Sequence, residues 1–384
     1  MADTLFDYLH WRGDLPFDLV PPGPVDFLIL SQLVHAPLEK LGEGASREEC
    51  TLRTLTPVLY PEEPGKEERE LFRKRYQLWQ EAVRGERFGS LRLLSYGSVF
   101  NPEENRQFAA GLFTGEGRLM VAYRGTDATL AGWHEDFNLA YESPIPAQRD
   151  GLAFLEAAAR NEGPLFLCGH SKGGNLARYA AVCSSREIRK RITAVYSFDG
   201  PGLGERVLSS PAMEEMVERI HSFVPESSVI GQLLGCREEM TVVASDSVSV
   251  LQHNPFYWHL KGPGFEILPR TSLSSRITGE TMDRFLKSCT PQTRRRLVDV
   301  IFDILEASGA VRTRDIAKGL LLHGDEVVRV IRSIPEENRD AVTRGLLLLS
   351  VALGDALGGN LAEMLQALMK NKPNNDQSLP KTSE

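Results

Sequence analysis

The sequence predicts an α/β fold: a mostly parallel sheet flanked by helices, with an appended C-terminal helical domain. Three observations carry this expectation. Short apolar runs of β type alternate with helical stretches through the middle of the chain, a glycine-rich turn joins one such strand to one such helix, and strand signals stop near residue 269. Alternation of this kind means βαβ units, because parallel neighbours need a crossover long enough to hold a helix. At 384 residues the chain exceeds one average domain and has room for a full sheet core plus an addition.

Residues 1–88 read as an N-terminal helical segment packed on the core. FLILSQLVH from Phe27 is compact and apolar, and EERELFRKRYQLWQEAV from Glu67 sets Leu71, Tyr76, Leu78, Trp79 and Val83 among charges, with the proline-rich PEEPGK between them. The α/β core is expected over 89–274. It opens with β-type runs at 91–100 and 107–113, a GEG turn and RLMVAYRG from Arg118. Strand 119–123, helix 147–160, strand 165–169, helix 172–184 and strand 193–198 then alternate, and RIHSFVP at 219–225 and MTVVAS at 240–245 extend the sheet. Residues 275–370 keep helical periodicity without strand signals, with Pro291 and Pro335 near the starts of two segments, and read as a separate helical domain. The tail, 371–384, is polar and is expected to be disordered.

Composition narrows the function classes. With 42% apolar and 25% charged residues, the chain has ample material for a buried core. A net charge of −8 repels a phosphate backbone, which argues against a nucleic-acid partner; the short basic run Arg294 to Arg296 reads as a solvated helix face. The first residues, MADTLFDYLHW, lack the basic-then-apolar layout of a secretory signal. No apolar stretch reaches the roughly 18 residues of a spanning helix, and the richest, from Gly345, is interrupted by Asp355. Cys50, Cys168, Cys183, Cys236 and Cys289 are odd in number, scattered and without CxxC spacing. They argue against a disulfide framework or a zinc site and suit a cytoplasmic chain. No metal and no organic cofactor is expected, and the sequence does not specify an oligomeric state.

Chemistry concentrates at Gly169-His170-Ser171-Lys172-Gly173, a GxSxG lodged between the strand-like PLFLC and the helix-like GGNLARYAAVC. That context is what a nucleophile elbow requires. The serine occupies a sharp, strained turn at the carboxyl edge of the sheet, and Gly169, Gly173 and Gly174 leave it room. Ser171 is therefore the candidate nucleophile, and the backbone N–H of Lys172, at a helix start, is the expected first oxyanion donor.

VAYRGTDATLAGWHEDFNLA, followed about 35 residues later by GHSKGGNLA, resembles the class 3 (fungal-type) lipases, and more closely a group of bacterial hydrolases related to them. The resemblance spans roughly 90–265 and implies an α/β-hydrolase fold. It also implies that the residue after Tyr123-Arg124-Gly125, Thr126, gives the second oxyanion N–H. Trp133 and Asp136 match the family in type and spacing, and Asp136 would brace the oxyanion loop. A donor from beside the nucleophile and one from the end of a neighbouring strand is also what an oxyanion hole needs physically.

In this fold the order is serine, acid, histidine. The histidines after Ser171 are His221, His253, His259 and His323. His221 sits in a strand run and His323 in the helical region. His253 follows the last long strand run in a loop broken by Asn254-Pro255, and the bacterial relatives share a histidine followed by Asn or Asp, Pro and aromatics, so His253 is preferred with His259 in reserve. For the acid, Asp199 ends strand 193–198 and opens DGPGLG; the class 3 lipases instead use an Asp after the next strand, where this chain offers Glu226. Asp199 is favoured, Glu226 is the alternative acid, and Asp246 is a third option. GPGLGE at 200–205 lacks the features of a phosphate loop, and HEDFN at 134–138 lacks the second histidine of HExxH.

The expectation is a serine hydrolase, esterase or lipase-like, acting on a small acyl ester or a lipid through an acyl-enzyme. Thioester or amide hydrolysis on the same groups, or a non-catalytic binding module, are the alternatives.

Overall fold

Capping chemistry opens the chain. In the first helix, α1 (Leu5–Arg12), the Thr4 hydroxyl accepts the Asp7 N–H while the Asp7 carboxylate accepts the Thr4 N–H at 2.8 Å, so two orphan donors are satisfied reciprocally. The computed structural model describes residues 2–42, 50–65, 68–127 and 129–307. The chain divides into two compact units, Met1–Arg295 and Arg296–Glu384. The second is described over 296–307 only.

Four more helices precede the sheet: α2 (Pro24–Leu33), α3 (Leu52–Leu59), α4 (Glu70–Arg84) and α5 (Glu86–Gly89). Apolar nearly all round, α2 is buried from Val25 to Leu33, as such a helix must be. Its Phe27 stacks on Tyr196 at 4.4 Å and on Phe166 at 5.5 Å, both sheet residues.

A buried ion pair ties these helices together. Arg87 Nε donates to Asp26 Oδ1 at 2.6 Å and Arg87 Nη2 to Oδ2 at 2.7 Å; the same guanidinium donates to the carbonyls of Leu15, Val20 and Pro21 and lies over the Phe17 ring. Removing one partner strands the other charge where water cannot reach it. Arg87→Ala is therefore expected to destabilise by about 3–5 kcal/mol, read by urea unfolding; a loss under about 1 kcal/mol, the value of an exposed pair, would contradict this account of the site.

The sheet follows as β1 (Arg92–Asn101), β2 (Arg106–Gly115), β3 (Arg118–Tyr123), α6 (Leu130–Asn138), α7 (Pro146–Ala158), β4 (Leu165–His170), α8 (Lys172–Cys183), α9 (Arg186–Arg191), β5 (Ile192–Phe198), α10 (Glu205–Leu208), α11 (Pro211–Met216), β6 (Ile220–Pro225) and β7 (Met240–Val243). A small hairpin, β8 (Leu260–Lys261) with β9 (Gly264–Phe265), leads into β10 (Ile267–Leu268), then α12 (Leu273–Ser288) and α13 (Pro291–Ala307). Among the described residues the main sheet has eight strands in the order β1-β2-β3-β4-β5-β6-β7-β10. β3 to β7 are parallel, and antiparallel strands close both edges. Between β2 and β3, Glu116 and Gly117 both take positive φ (53° and 76°), the twist that suits a two-residue hairpin.

Period-two alternation then decides the two faces. Along β3, Met120 and Ala122 join the cluster under the N-terminal helices with Phe27, Trp79, Cys168 and Phe198. Val121 and Tyr123 join the opposite cluster with Leu155, Leu167, Leu176 and Ala180 of α7, β4 and α8. With both faces covered, the parallel strands read as near-continuous apolar runs, which is why they were legible. The architecture is that of an α/β hydrolase. Among the described residues no helix is long and apolar enough to cross a membrane.

Two differences from expectation have physical causes. α6 stands where no apolar periodicity marked a helix; it is started by the Thr129 hydroxyl, which accepts the Gly132 N–H at 3.2 Å, and held by buried polar groups described below. α12, inside the helical region expected from residue 275, belongs to the first unit, where Ser275 Oγ donates to the Ser228 carbonyl at 2.5 Å. The remainder of that region, 308–370, with His323 and the tail, lies outside the described residues.

Candidate active site

Ser171 alone turns the chain from β4 into α8, at φ 58° and ψ −130°. For a non-glycine residue this region stores strain on the order of 1–3 kcal/mol, retained where the surroundings over-determine it. The Ser171 N–H donates to the Phe198 carbonyl at 2.9 Å, so the parallel ladder to β5 extends to the serine itself. The glycine spacing is steric: a Cβ on Gly169 would lie 2.2 Å from the Gly173 backbone, and one on Gly173 would lie 2.2 Å from the Tyr123 carbonyl oxygen.

Asp199 follows β5 at φ 47°, with its N–H on the Phe223 carbonyl at 2.7 Å. Its side chain is fully buried. Oδ1 accepts from the Ser228 hydroxyl at 2.5 Å and the Gly231 N–H at 3.0 Å, and Oδ2 lies 2.6 Å from His253 Nδ1. The loop it opens is anchored by buried Arg178, which donates to the Gly200 carbonyl and to Glu238 Oε1 at 2.6 Å each. His253 ends the 3₁₀ turn Ser249–His253, and the Asn254 side chain caps the next turn by accepting the Phe256 N–H at 3.1 Å. A carboxylate on Nδ1 fixes the tautomer with Nδ1 protonated and leaves Nε2 free to accept a proton.

His170 Nε2 lies 2.8 Å from the His253 carbonyl oxygen, and the two rings approach to 4.6 Å between centroids. Burial, then the neighbouring His253, holds the His170 pKa well below the ordinary value. Neutral His170 thus pins the backbone of His253 to the residue next to Ser171.

The other candidates separate from this group. Among the described residues the Glu226 carboxylate has no hydrogen-bond partner, and only its backbone is engaged, with Val243 and Ser272. Asp246 lies 2.7 Å from His259 Nε2, and Glu266 3.0 Å from its Nδ1, so His259 is held away by two carboxylates. His221 lies on β6.

On the other side of Ser171, a Cβ on Gly125 would lie 3.5 Å from the Ser171 Cβ, which brings the loop after β3 against the turn at Ser171. Neither the Thr126 N–H nor the Lys172 N–H has an acceptor among the described residues. The Thr126 hydroxyl makes a short hydrogen bond to Asp136 Oδ2. Lys172 also uses its side chain. Buried Nζ donates to Glu135 Oε2 and to the Gln107 carbonyl, both at 2.9 Å, with Asp136 Oδ1 at 3.5 Å. Glu135, also fully buried, accepts the N–H groups of Gln107 at 2.9 Å and Ala147 at 2.8 Å, so one carboxylate joins β2, α6, α7 and α8. The sequence singled out Lys172 only for its amide, and met Glu135 only in the rejected HEDFN motif. The available signal was that a lysine between an elbow serine and a glycine, at the edge of a covered sheet, has no solvent to reach and needs a buried acid.

Burial pushes the Asp136 carboxyl up to about 6, against the opposing pull of Lys172 and Thr126. Between pH 3.8 and about 6 the unfolded chain has lost this proton while the folded chain keeps it, so stability falls as pH rises through that window and stays lower above it. Asp136→Asn keeps an oxygen for the Thr126 hydroxyl. It is expected to be more stable than wild type by on the order of 1–3 kcal/mol near neutral pH and indistinguishable at about pH 4. Thermal unfolding at the two pH values reads this; a variant less stable at neutral pH would mean that the ionised carboxylate is the form the fold prefers.

The family model described as Mbeg1-like matches residues 82–303, more than half of the chain. The chain belongs to the Mbeg1-like family. The matched span of this Mbeg1-like chain runs from the end of α4 into α13 and holds Thr126, Asp136, Ser171, Asp199 and His253. No curated protein matches it. Among solved structures it is similar to a fungal lipase in an inhibitor complex, a model for interfacial activation in lipases, at 15% identity over 50% of this chain and 82% of the lipase, with a TM-score of 0.29. It is also similar to M37 lipase, at 12% identity over 87% of this chain and 97% of that one, with a TM-score of 0.32.

Proposed function

We propose that this Mbeg1-like chain is a serine hydrolase of carboxylic esters, esterase or lipase-like, with Ser171, His253 and Asp199 as its triad. The observation that carries the reading is the contact of buried Asp199 with part-exposed His253 at 2.6 Å, tied through His170 to the strained turn at Ser171. His253 Nε2 takes the Ser171 hydroxyl proton as Oγ attacks the ester carbonyl. The N–H groups of Thr126 and Lys172 hold the oxyanion, and Asp199 stabilises the imidazolium. Collapse expels the alcohol, which takes the proton from His253, and water repeats the sequence on the acyl-enzyme. Asp136, Glu135 and the Lys172 side chain keep the oxyanion loop against the elbow. The groups of this reaction lie between 126 and 253, so the region beyond 275 is proposed to supply none of them. A small acyl ester or a lipid is the proposed substrate, and a cytoplasmic setting suits five scattered cysteines without CxxC spacing.

A panel of p-nitrophenyl esters of rising acyl length, with thioester and anilide counterparts, tests the class. Ester turnover well above the anilide rate supports the reading. Turnover of thioesters alone, or of none of them by folded protein, overturns it.

A further inference from the structure

We infer that a cationic subsite near Ser171, its charge supplied by the Arg75 and Arg124 guanidiniums and its wall by the neutral imidazoles of His35 and His170, receives an anionic group of the substrate, so that the preferred ester carries a carboxylate or phosphate a few bonds from the scissile carbonyl. This deepens the serine-hydrolase reading and rests on it.

Strand alternation collects these residues. Arg124 continues β3, its N–H on the Ala109 carbonyl at 2.9 Å, and falls in step with Ala122; His170 ends β4 in step with Cys168. Ala122 and Cys168 belong to the face under the N-terminal helices, so Arg124 and His170 turn that way at the carboxyl edge of the sheet. There Arg124 Nη1 lies 3.4 Å from the Tyr96 hydroxyl, itself 3.4 Å from Glu39, and Arg75 of α4 donates from Nε to Gln32 Oε1 at 3.2 Å. Gln32 lies in the last turn of α2, just before His35, so Arg75 is brought to the same end of that helix as His35. Burial, then Arg75, Arg124 and His170, depresses His35; burial, then Arg69 and Arg124, pulls Arg75 down to about 9.

The charges are not balanced within the described fold. Among the described residues no carboxylate pairs with Arg75 or Arg124, Arg124 Nε is buried without an acceptor, and His35 Nε2 is buried without a hydrogen-bond partner. The fully buried cations each have an acid, Arg87 with Asp26, Lys172 with Glu135 and Arg178 with Glu238, whereas half-buried Arg12 and Arg73, like Arg75 and Arg124, have no carboxylate partner among the described residues; what sets Arg75 and Arg124 apart is their place at the carboxyl edge of the sheet. With a net charge of −8 it has acids to spare. Two half-buried guanidiniums left open in such a protein are held at a desolvation cost that an incoming oxyanion offsets, and the guanidinium fork matches carboxylate and phosphate alike. Proximity to the chemistry follows from the chain, since His170 precedes Ser171 and Arg124 precedes Gly125, whose Cβ position is 3.5 Å from the Ser171 Cβ.

The test compares p-nitrophenyl hemiglutarate with p-nitrophenyl valerate, and phosphatidylglycerol with diacylglycerol of the same acyl chains in neutral detergent micelles, the first pair probing a soluble ester and the second a lipid. In at least one pair the wild-type kcat/KM should favour the anionic member by about tenfold or more at low salt. The ratio should fall to near parity in Arg75→Gln and be partly restored in Arg75→Lys. Parity in the wild type on both pairs, or a preference that survives Arg75→Gln, overturns the proposal. So does an Arg75→Gln protein that unfolds several degrees lower, because the arginine would then be serving a partner within the chain. Calorimetric titration of monomethyl glutarate into Ser171→Ala, with and without Arg75→Gln, separates the two readings. Fluorophosphonate labelling without anion binding defeats the subsite, whereas binding lost with Arg75, in a wild type that takes no label, supports the subsite and defeats the hydrolase.

Discussion

Ser171→Ala is expected to lower ester turnover by on the order of a millionfold, since losing a triad nucleophile removes nearly all that the triad contributes. The Ser171 hydroxyl has no hydrogen bond among the described residues, so the loss should come without unfolding. Stability adds an independent reading. At φ 58° alanine is as strained as serine, but glycine is not, and Ser171→Gly should be inactive yet at least as stable as wild type. Single-turnover kinetics and thermal unfolding on the three proteins check both halves. Substantial activity in either variant would move the nucleophile elsewhere.

Asp199→Asn is expected to cost on the order of ten-thousandfold in turnover, because an amide opposite Nδ1 stabilises the wrong imidazole tautomer and no longer balances the imidazolium. Geometry should survive, since one oxygen of Asn can still accept from Ser228 and Gly231. Glu226→Gln serves as the counterpart. Its carboxylate has no partner among the described residues, so its loss should stay within about tenfold, the range left to a carboxylate outside the triad. The reverse ranking in steady-state kinetics, with both proteins folded by circular dichroism, would assign the acid to Glu226.

What could be read beforehand follows from periodicity. The parallel strands were visible because both faces are covered, and the elbow because backbone crowding at Gly169 and Gly173 tolerates only glycine. α6 was invisible because its buried face is polar: His134, Glu135 and Asn138 look like a solvated run until Lys172 and the N–H groups of Gln107 and Ala147 arrive from distant segments. His170 was hidden for a similar reason, its partner being a carbonyl 83 residues away. Chain position favoured Asp199 and left Glu226 as the alternative, because each follows a strand at the same sheet edge; what the sequence could not show is that Ser228 and Gly231 fold back onto Asp199.

Site mapping of a fluorophosphonate adduct tests the central claim most directly. The folded chain is treated with the probe, digested and analysed by mass spectrometry. The account predicts one modified peptide carrying the adduct on Ser171, with labelling slowed by several orders of magnitude in His253→Ala. An adduct on a different serine, or a folded protein that takes no label at all, would contradict it.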